Sequence, residues 1–331
     1  MKKKCTPYCL AELAAILLTC AALLISVCFF GLWLTPERDE YGASWKAYLA
    51  EEENTADVLF FGSSIVYCDV IPAEIYARSG LTSFVMAGPE QTAPVTAAYV
   101  RQALKTQSPS CIFVEASCAF YPETTNYSYA NVCFMPWSVE RLQATLACEA
   151  KIWPAAFFPL KDFHYRIYEP QDTDKAHASR MLAGYTYLDD TASDLQSEER
   201  YLASPPGSEQ YRKNLKHLSE IADVCESEKI ALYFYIAPCV SPVAPAEREK
   251  LIADLQALSC RAALDWTDAA PEIGIENQSD WYDHLHFNFS GAEKFSRYLS
   301  DFLTQNGIIP AEKENPALWQ ERITYLQGKK Q

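Results

Sequence analysis

Five short apolar runs, at 57–61, 82–86, 111–115, 231–236 and 262–265, constrain this chain more than any other feature. They are rich in Val, Ile, Phe and Tyr, are bounded by turn formers, and are continuously apolar rather than alternating. Helical patterns occupy roughly 92–106, 209–228 and 246–259, with a last one at 290–304. Continuous apolar strands alternating with helices predict a parallel sheet covered on both faces, a flavodoxin-like three-layer α/β/α sandwich. Ligands of such sheets bind beyond the carboxyl ends of the strands. Ser64 and Gly88 follow directly on the first two predicted strands and are expected at that edge. With 331 residues, 49% of them apolar, the chain can bury a sizeable core.

The stretch 120–205 interrupts the alternation. It is rich in aromatics (Tyr121, Tyr127, Tyr129, Trp137, Trp153, Phe157, Phe158, His164, Tyr165) and then turns polar through Asp189-Asp190 and Glu198-Glu199-Arg200. It reads as an insertion after the third strand, with a helix near 138–150, lying over the catalytic edge. Two roles stand side by side for it: a lid whose aromatics stack on sugar rings, or a packing subdomain. Residues 35–54, with Glu51-Glu52-Glu53, read as a stalk with some helix and 307–331 as a tail, leaving 55–306 as the domain.

The N-terminus sets the address. Lys2-Lys3-Lys4 precede an uncharged stretch from Leu13 to Leu34. A bilayer core needs about 20 apolar residues, whereas a signal-peptide core needs roughly 7–15. The run is long enough to span, and no small-x-small cleavage site follows it, so an uncleaved signal anchor is expected ahead of a cleaved signal. Lysines on its N-terminal flank favour a cytoplasmic N-terminus and an exported domain. The net charge of −15 excludes a phosphate-binding surface and with it nucleic acid as a partner. Of the 12 cysteines, Cys5, Cys9, Cys20 and Cys28 lie in or beside the apolar stretch. No C-x-x-C pair occurs, so no metal or cofactor is expected. Several of the other cysteines sit in apolar contexts and read as small buried hydrophobes.

Two turns carry the chemistry. Phe61-Gly62-Ser63-Ser64 ends the first strand, and Trp281-Tyr282-Asp283-His284-Leu285-His286-Phe287-Asn288 precedes the last helix. A serine hydroxyl becomes a useful nucleophile when a histidine takes its proton and a carboxylate orients that histidine. Asp283 and His286 are close enough in a tight turn for the carboxylate to hold the ring nitrogen facing away from the serine. Either turn alone has a plainer reading, since Ser63, Ser64, Asn288 and Ser290 are also good helix caps. Metal binding by Asp283, His284 and His286 lacks a further clear ligand.

Together these segments resemble the SGNH (GDSL-like) hydrolase superfamily over roughly 55–306. Gly62-Ser63-Ser64 is similar to its first block, with Ser63 where the name-giving motif has Asp. Val85-Met86-Ala87-Gly88-Pro89-Glu90-Gln91 resembles the second block, and Asp283-x-x-His286 with Gly291 the last. The resemblance is strongest to membrane-anchored branches, the D-alanyl transfer proteins and the polysaccharide O-acetyltransferases. It implies Ser64 as nucleophile, His286 as base and acid, Asp283 as its orienter, and the N–H groups of Ser64 and Gly88 as oxyanion donors. It further implies an exported serine esterase or O-acyltransferase acting on a cell-envelope glycan or an acylated small molecule, with a membrane acyl-donor protein as a partner. The family's third-block asparagine is missing: the strand at 111–115 leads into Glu115-Ala116-Ser117. Gln91 or a group from the insertion is the expected substitute. Glu115 is expected in a structural or substrate-facing role, and Asn288 in a supporting one. The missing donor also leaves room for an inactive binding or assembly protein of the same fold.

Overall fold

A computed structural model describes residues 7–34, 45–158, 173–193, 195–277, 279–311 and 315–330. The five apolar runs become strands β1 (Val58–Gly62), β2 (Ser83–Ala87), β3 (Cys111–Glu115), β4 (Ala231–Ile236) and β5 (Ala262–Asp265). The last three keep the bounds read from the sequence, and the first two start one residue later. All neighbours pair in parallel, in the order β2-β1-β3-β4-β5, with Val58 in register with Ser83 on one side and Cys111 on the other. The chain leaves β1 to one side and returns to the other. Such a reversal opens a crevice beyond the carboxyl ends of β1 and β3.

Side chains alternate across this sheet, so each strand feeds two cores. Leu59, Phe61, Ile112, Val114, Leu232 and Phe234 pack on one face. Val58, Phe60, Phe113, Tyr233 and Tyr235 pack on the other, where Phe113 stacks on Tyr233 at 4.8 Å. Covering both faces is what makes the strands continuously apolar. In chain order the helices are α1 (Pro7–Leu34), α2 (Trp45–Leu49), α3 (Ser64–Asp69), α4 (Pro72–Ser79), α5 (Ala93–Ala103), α6 (Ser128–Cys133) and α7 (Val139–Leu146). They continue with α8 (Trp153–Phe157), α9 (Thr173–Met181), α10 (Glu209–Glu228), α11 (Pro245–Gln256), α12 (Ala270–Ile273), α13 (Phe289–Gln305) and α14 (Pro316–Lys329). Helices α5, α10 and α11 cover the first face, and α3, α4 and α13 the second. Helix α13 illustrates the local logic. Asn288 caps it by accepting the Gly291 N–H at 3.2 Å, and Ala292, Phe295, Leu299 and Leu303 form the stripe it buries.

Helix α1 contains an apolar span, Leu10–Phe30, that is long enough to cross a membrane and is not buried against the rest of the chain. A helix apolar on every side needs a non-aqueous surrounding.

Both flanking segments contain helices that pack on the domain. In the expected stalk, residues 35–44 lie outside the described residues, but α2 buries Trp45 and Tyr48, and the Tyr48 hydroxyl donates to the Ala103 carbonyl at 2.9 Å. The expected tail forms α14, whose Trp319 stacks on Tyr76 at 4.9 Å. Its Arg322 is fully buried and pairs with Glu51 at 2.5 Å. Two aromatic anchors and a buried ion pair join these ends to the domain, and they meet each other there. The run of glutamates that suggests a stalk supplies one partner of that ion pair.

The insertion contains α6 to α9. The helix expected near 138–150 is α7 followed by a turn at Ala150–Ile152. Arg141 is buried within it, donates to the Met135 and Ala156 carbonyls at 2.7 and 2.5 Å, and lies 4.0 Å from the Trp137 ring centroid. The aromatics divide their duties. Tyr129 and Trp153 pack against the core, whereas Tyr127 and Trp137 are exposed. His164 and Tyr165 lie outside the described residues.

Candidate active site

The first turn is shaped by Gly62. Its φ is +152°, and a Cβ there would lie 2.6 Å from Val66 Cγ2 and 2.9 Å from Glu115 Cβ. Glycine therefore lets β1 turn into α3 against β3 with no side chain in the way. Ser63 occupies the cap position of α3, but its hydroxyl makes no cap bond. It is fully buried and accepts the Tyr121 hydroxyl at 3.3 Å. Ser64 opens α3, in the turn where backbone N–H groups have no helical partner.

The second turn is a small closed loop. Trp281 and Phe287 form an antiparallel bridge with rings 4.4 Å apart, and the Tyr282 N–H donates to the His286 carbonyl at 2.9 Å. Inside it, Asp283 Oδ1 accepts the backbone N–H groups of Leu285 (2.7 Å) and His286 (2.9 Å). The ring Nδ1 of His286 lies 3.0 Å from Asp283 Oδ1 and 2.9 Å from Oδ2. Nε2 of the same ring lies 2.8 Å from Ser64 Oγ, across 222 positions of sequence. The fold thus brings together the three residues expected to act together. With Nδ1–H donating to Asp283, Nε2 is left to accept the Ser64 hydroxyl.

The electrostatics suit that arrangement. Burial pulls the Asp283 carboxyl upward, but hydrogen bonds from His286 and the Leu285 N–H, with the charge of His286, outweigh it and hold the group below the usual carboxylate range. His286 is 17% and Asp283 44% exposed at the side chain, so the dyad is open to solvent at one end. Its outer supports are firm. The His284 carbonyl accepts the N–H groups of Val240 and Ser241, the Trp281 carbonyl accepts that of Ala192, and Asp69 Oδ1 accepts that of Phe287 at 2.9 Å. The His284 side chain is exposed and plays no part in these contacts.

The remaining candidates occupy supporting places. Gly88 abuts the site, and its N–H donates to the Gly62 carbonyl at 3.3 Å. Gln91 is buried and donates to Thr96 Oγ1 at 3.1 Å. Glu115 is buried at the end of β3 with Oε1 accepting the Ser117 N–H and hydroxyl. Burial raises its carboxyl against those hydrogen bonds and the charge of Arg200. Asn288 is the α13 cap, and its amide donates to Thr191 Oγ1 and the Ser279 carbonyl, a structural duty.

Sequence reasoning missed four residues here. Tyr121 follows the turn after β3 and reaches Ser63, and burial pushes its phenol up to about 12, so it stays a donor. Asn131 of α6 packs on Gly88, where a Cβ would lie 2.3 Å from Asn131 Oδ1, and its Nδ2 donates to the Pro89 carbonyl at 2.9 Å. Arg200 places Nη2 3.5 Å from Ser117 Oγ. Asp69 ties α3 to the histidine loop. Only Asp69 left a signal, a single charge inside the apolar stretch Ile65-Val66-Tyr67-Cys68-Asp69-Val70-Ile71.

Among the described residues no group of three or more His, Cys, Asp or Glu is gathered to hold a metal ion. Of the eight cysteines from Cys68 to Cys260, six are buried, and Cys239 and Cys260 are partly exposed.

No family model matches this chain, and no curated protein does. Among solved structures it is similar to a putative acylhydrolase from Bacteroides fragilis NCTC 9343, at 10% identity and a TM-score of 0.39, over 80% of this chain and 94% of the other.

Proposed function

We propose that this chain is a membrane-anchored serine esterase or O-acyltransferase of the SGNH type that works through an acyl-Ser64 intermediate. One observation supports it above all: Ser64 Oγ, His286 and the Asp283 carboxylate form a continuous chain of contacts of 2.8 and 2.9 Å at the carboxyl edge of a parallel sheet. Ser64 Oγ attacks the ester carbonyl while His286 Nε2 takes its proton. Asp283 stabilises the imidazolium that forms. Nε2–H then protonates the departing alcohol, leaving the acyl group on Ser64. A water or a sugar hydroxyl attacks next and gives its proton to Nε2, which passes a proton to Ser64 Oγ as the bond between Oγ and the acyl carbon breaks. Water as acceptor yields an acid, and a hydroxyl yields a new ester. The Ser64 N–H, at the start of α3, would donate to the developing oxyanion.

The address follows from α1. With Lys2 to Lys4 on the cytoplasmic side, the domain faces outward, where acylated cell-envelope glycans are the substrates within reach. A fluorophosphonate probe on the full-length protein in detergent tests the chemistry. Labelling and p-nitrophenyl acetate turnover are expected from the native chain and lost in Ser64→Ala. No serine-dependent labelling together with no turnover would sink the enzyme reading. It would leave a second one, a binding or assembly protein, favoured by the Gly88 N–H already bonded to Gly62. Acetylated glycan, with and without added acceptor, separates hydrolysis from transfer.

A further inference from the structure

We propose that Asp69 is a positioning residue of this site, holding the histidine loop within reach of Ser64 from the far end of the nucleophile's own helix. The inference rests on the acyl-serine reading above. Ser64 is the first residue of α3 and Asp69 the last, about 7.5 Å along the axis at 1.5 Å per residue. Asp69 Oδ1 accepts the Phe287 N–H at 2.9 Å. That N–H belongs to the same peptide unit as the His286 carbonyl, which accepts the Tyr282 N–H at 2.9 Å. A peptide unit is planar, so clamping both its ends fixes the backbone from which the His286 ring projects. Helix and ring are then held twice, once through Ser64···His286 and once through Asp69···Phe287.

A carboxyl is an expensive choice for this place. Asp69 is fully buried between the sheet and α13, and an apolar side chain would pack there without a desolvation penalty. Burial pushes its carboxyl well above the usual range, with the charges of Asp283 and Glu115 adding to the rise. What the site uses is the acceptor oxygen Oδ1, while Oδ2 is buried without a hydrogen-bond partner among the described residues. This makes Asn a close stand-in, because an amide carbonyl accepts the same bond at the same size.

The experiment compares Asp69→Asn, Asp69→Ala and Asp69→Ser in the full-length protein, with circular dichroism and Tm alongside kinetics on p-nitrophenyl acetate. A misplacement of about 1 Å costs about 100-fold in rate. Asp69→Ala and Asp69→Ser should therefore lose kcat by about 10- to 100-fold with KM nearly unchanged. Asp69→Asn should recover most of it. Backbone hydrogen exchange supplies a readout independent of turnover: the Phe287 amide should lose protection in the Ala and Ser variants and keep it in Asn. Native-like kcat in a folded Ala or Ser variant overturns the inference, as does an Asn variant that falls as far as Ala. If the native chain itself shows no turnover, the acyl-serine reading falls, and exchange at Phe287 alone decides whether the tie exists.

Discussion

Replacing Asp283 by Asn tests the tautomer on which the proposed chemistry depends. Asp283 Oδ1 accepts two backbone N–H groups, from Leu285 and His286, and lies 3.0 Å from His286 Nδ1, while Oδ2, with no backbone donor, lies 2.9 Å from it. In Asp283→Asn the amide oxygen is drawn to the two backbone donors, so the NH₂ group takes the place of Oδ2. Facing a donor, Nδ1 must become the acceptor, and the ring proton moves to Nε2. Ser64 then meets an N–H instead of a base. The alternative is to flip the amide, which sets its NH₂ against both backbone N–H groups. Two unmade hydrogen bonds at about 1–3 kcal/mol apiece put that flip at roughly 2–6 kcal/mol. At 1.36 kcal/mol per decade, kcat should fall by about 30- to 3 × 10⁴-fold. Stability should change by less than about 1 kcal/mol, because the Asp283 side chain is 44% exposed and both backbone bonds survive. Steady-state turnover of p-nitrophenyl acetate and the rate of fluorophosphonate labelling measure the first quantity, and a urea melt the second. A folded Asp283→Asn protein within tenfold of native kcat would refute the reasoning.

Three further outcomes are expected. Gly62→Ala should destabilise by about 2–5 kcal/mol, from a positive φ and overpacking against Val66 and Glu115, and adding Val66→Ala should restore part of it in urea titrations. Glu51→Ala should cost about 3–5 kcal/mol by stranding the buried Arg322, whereas the pair Glu51→Ala with Arg322→Met should recover most of that in thermal melts. Glu115 has its folded-state carboxyl raised above the ordinary value, so the folded chain holds that proton more tightly and loses stability as pH rises through the unfolded value of about 4.3. Glu115→Gln should thus raise the urea midpoint at about pH 8 and leave it unchanged at about pH 4. A gain at the lower pH alone would reverse the assigned sign.

Much of the fold was legible because its signals are local. Each strand of a doubly covered parallel sheet must be apolar on both faces, so Leu59-Phe60-Phe61 and Ile112-Phe113-Val114 announce themselves without reference to neighbours. The packing at the ends of the domain was not legible, for the opposite reason. Trp45 and Tyr48 stand in a short, charged stretch, and Arg322 in a helix with polar positions around it. Nothing nearby shows that α2 packs on β2, that α14 packs on α4, or that Arg322 meets Glu51. Asn288 was legible as a cap and proved to be one, because capping needs only the next turn of chain.

The same division runs through the candidate site. The sequence by itself determined the glycine-serine turn after β1, the Asp283-x-x-His286 spacing and the apolar span of α1, since each is a property of a few consecutive residues. Only the tertiary structure decided that Ser64 and His286 meet across 222 positions, that Tyr121 reaches Ser63 and Asn131 packs on Gly88, and that Asp69 accepts the Phe287 N–H. A hydrogen bond between distant segments depends on where packing brings their backbones. No pattern within either segment records that distance.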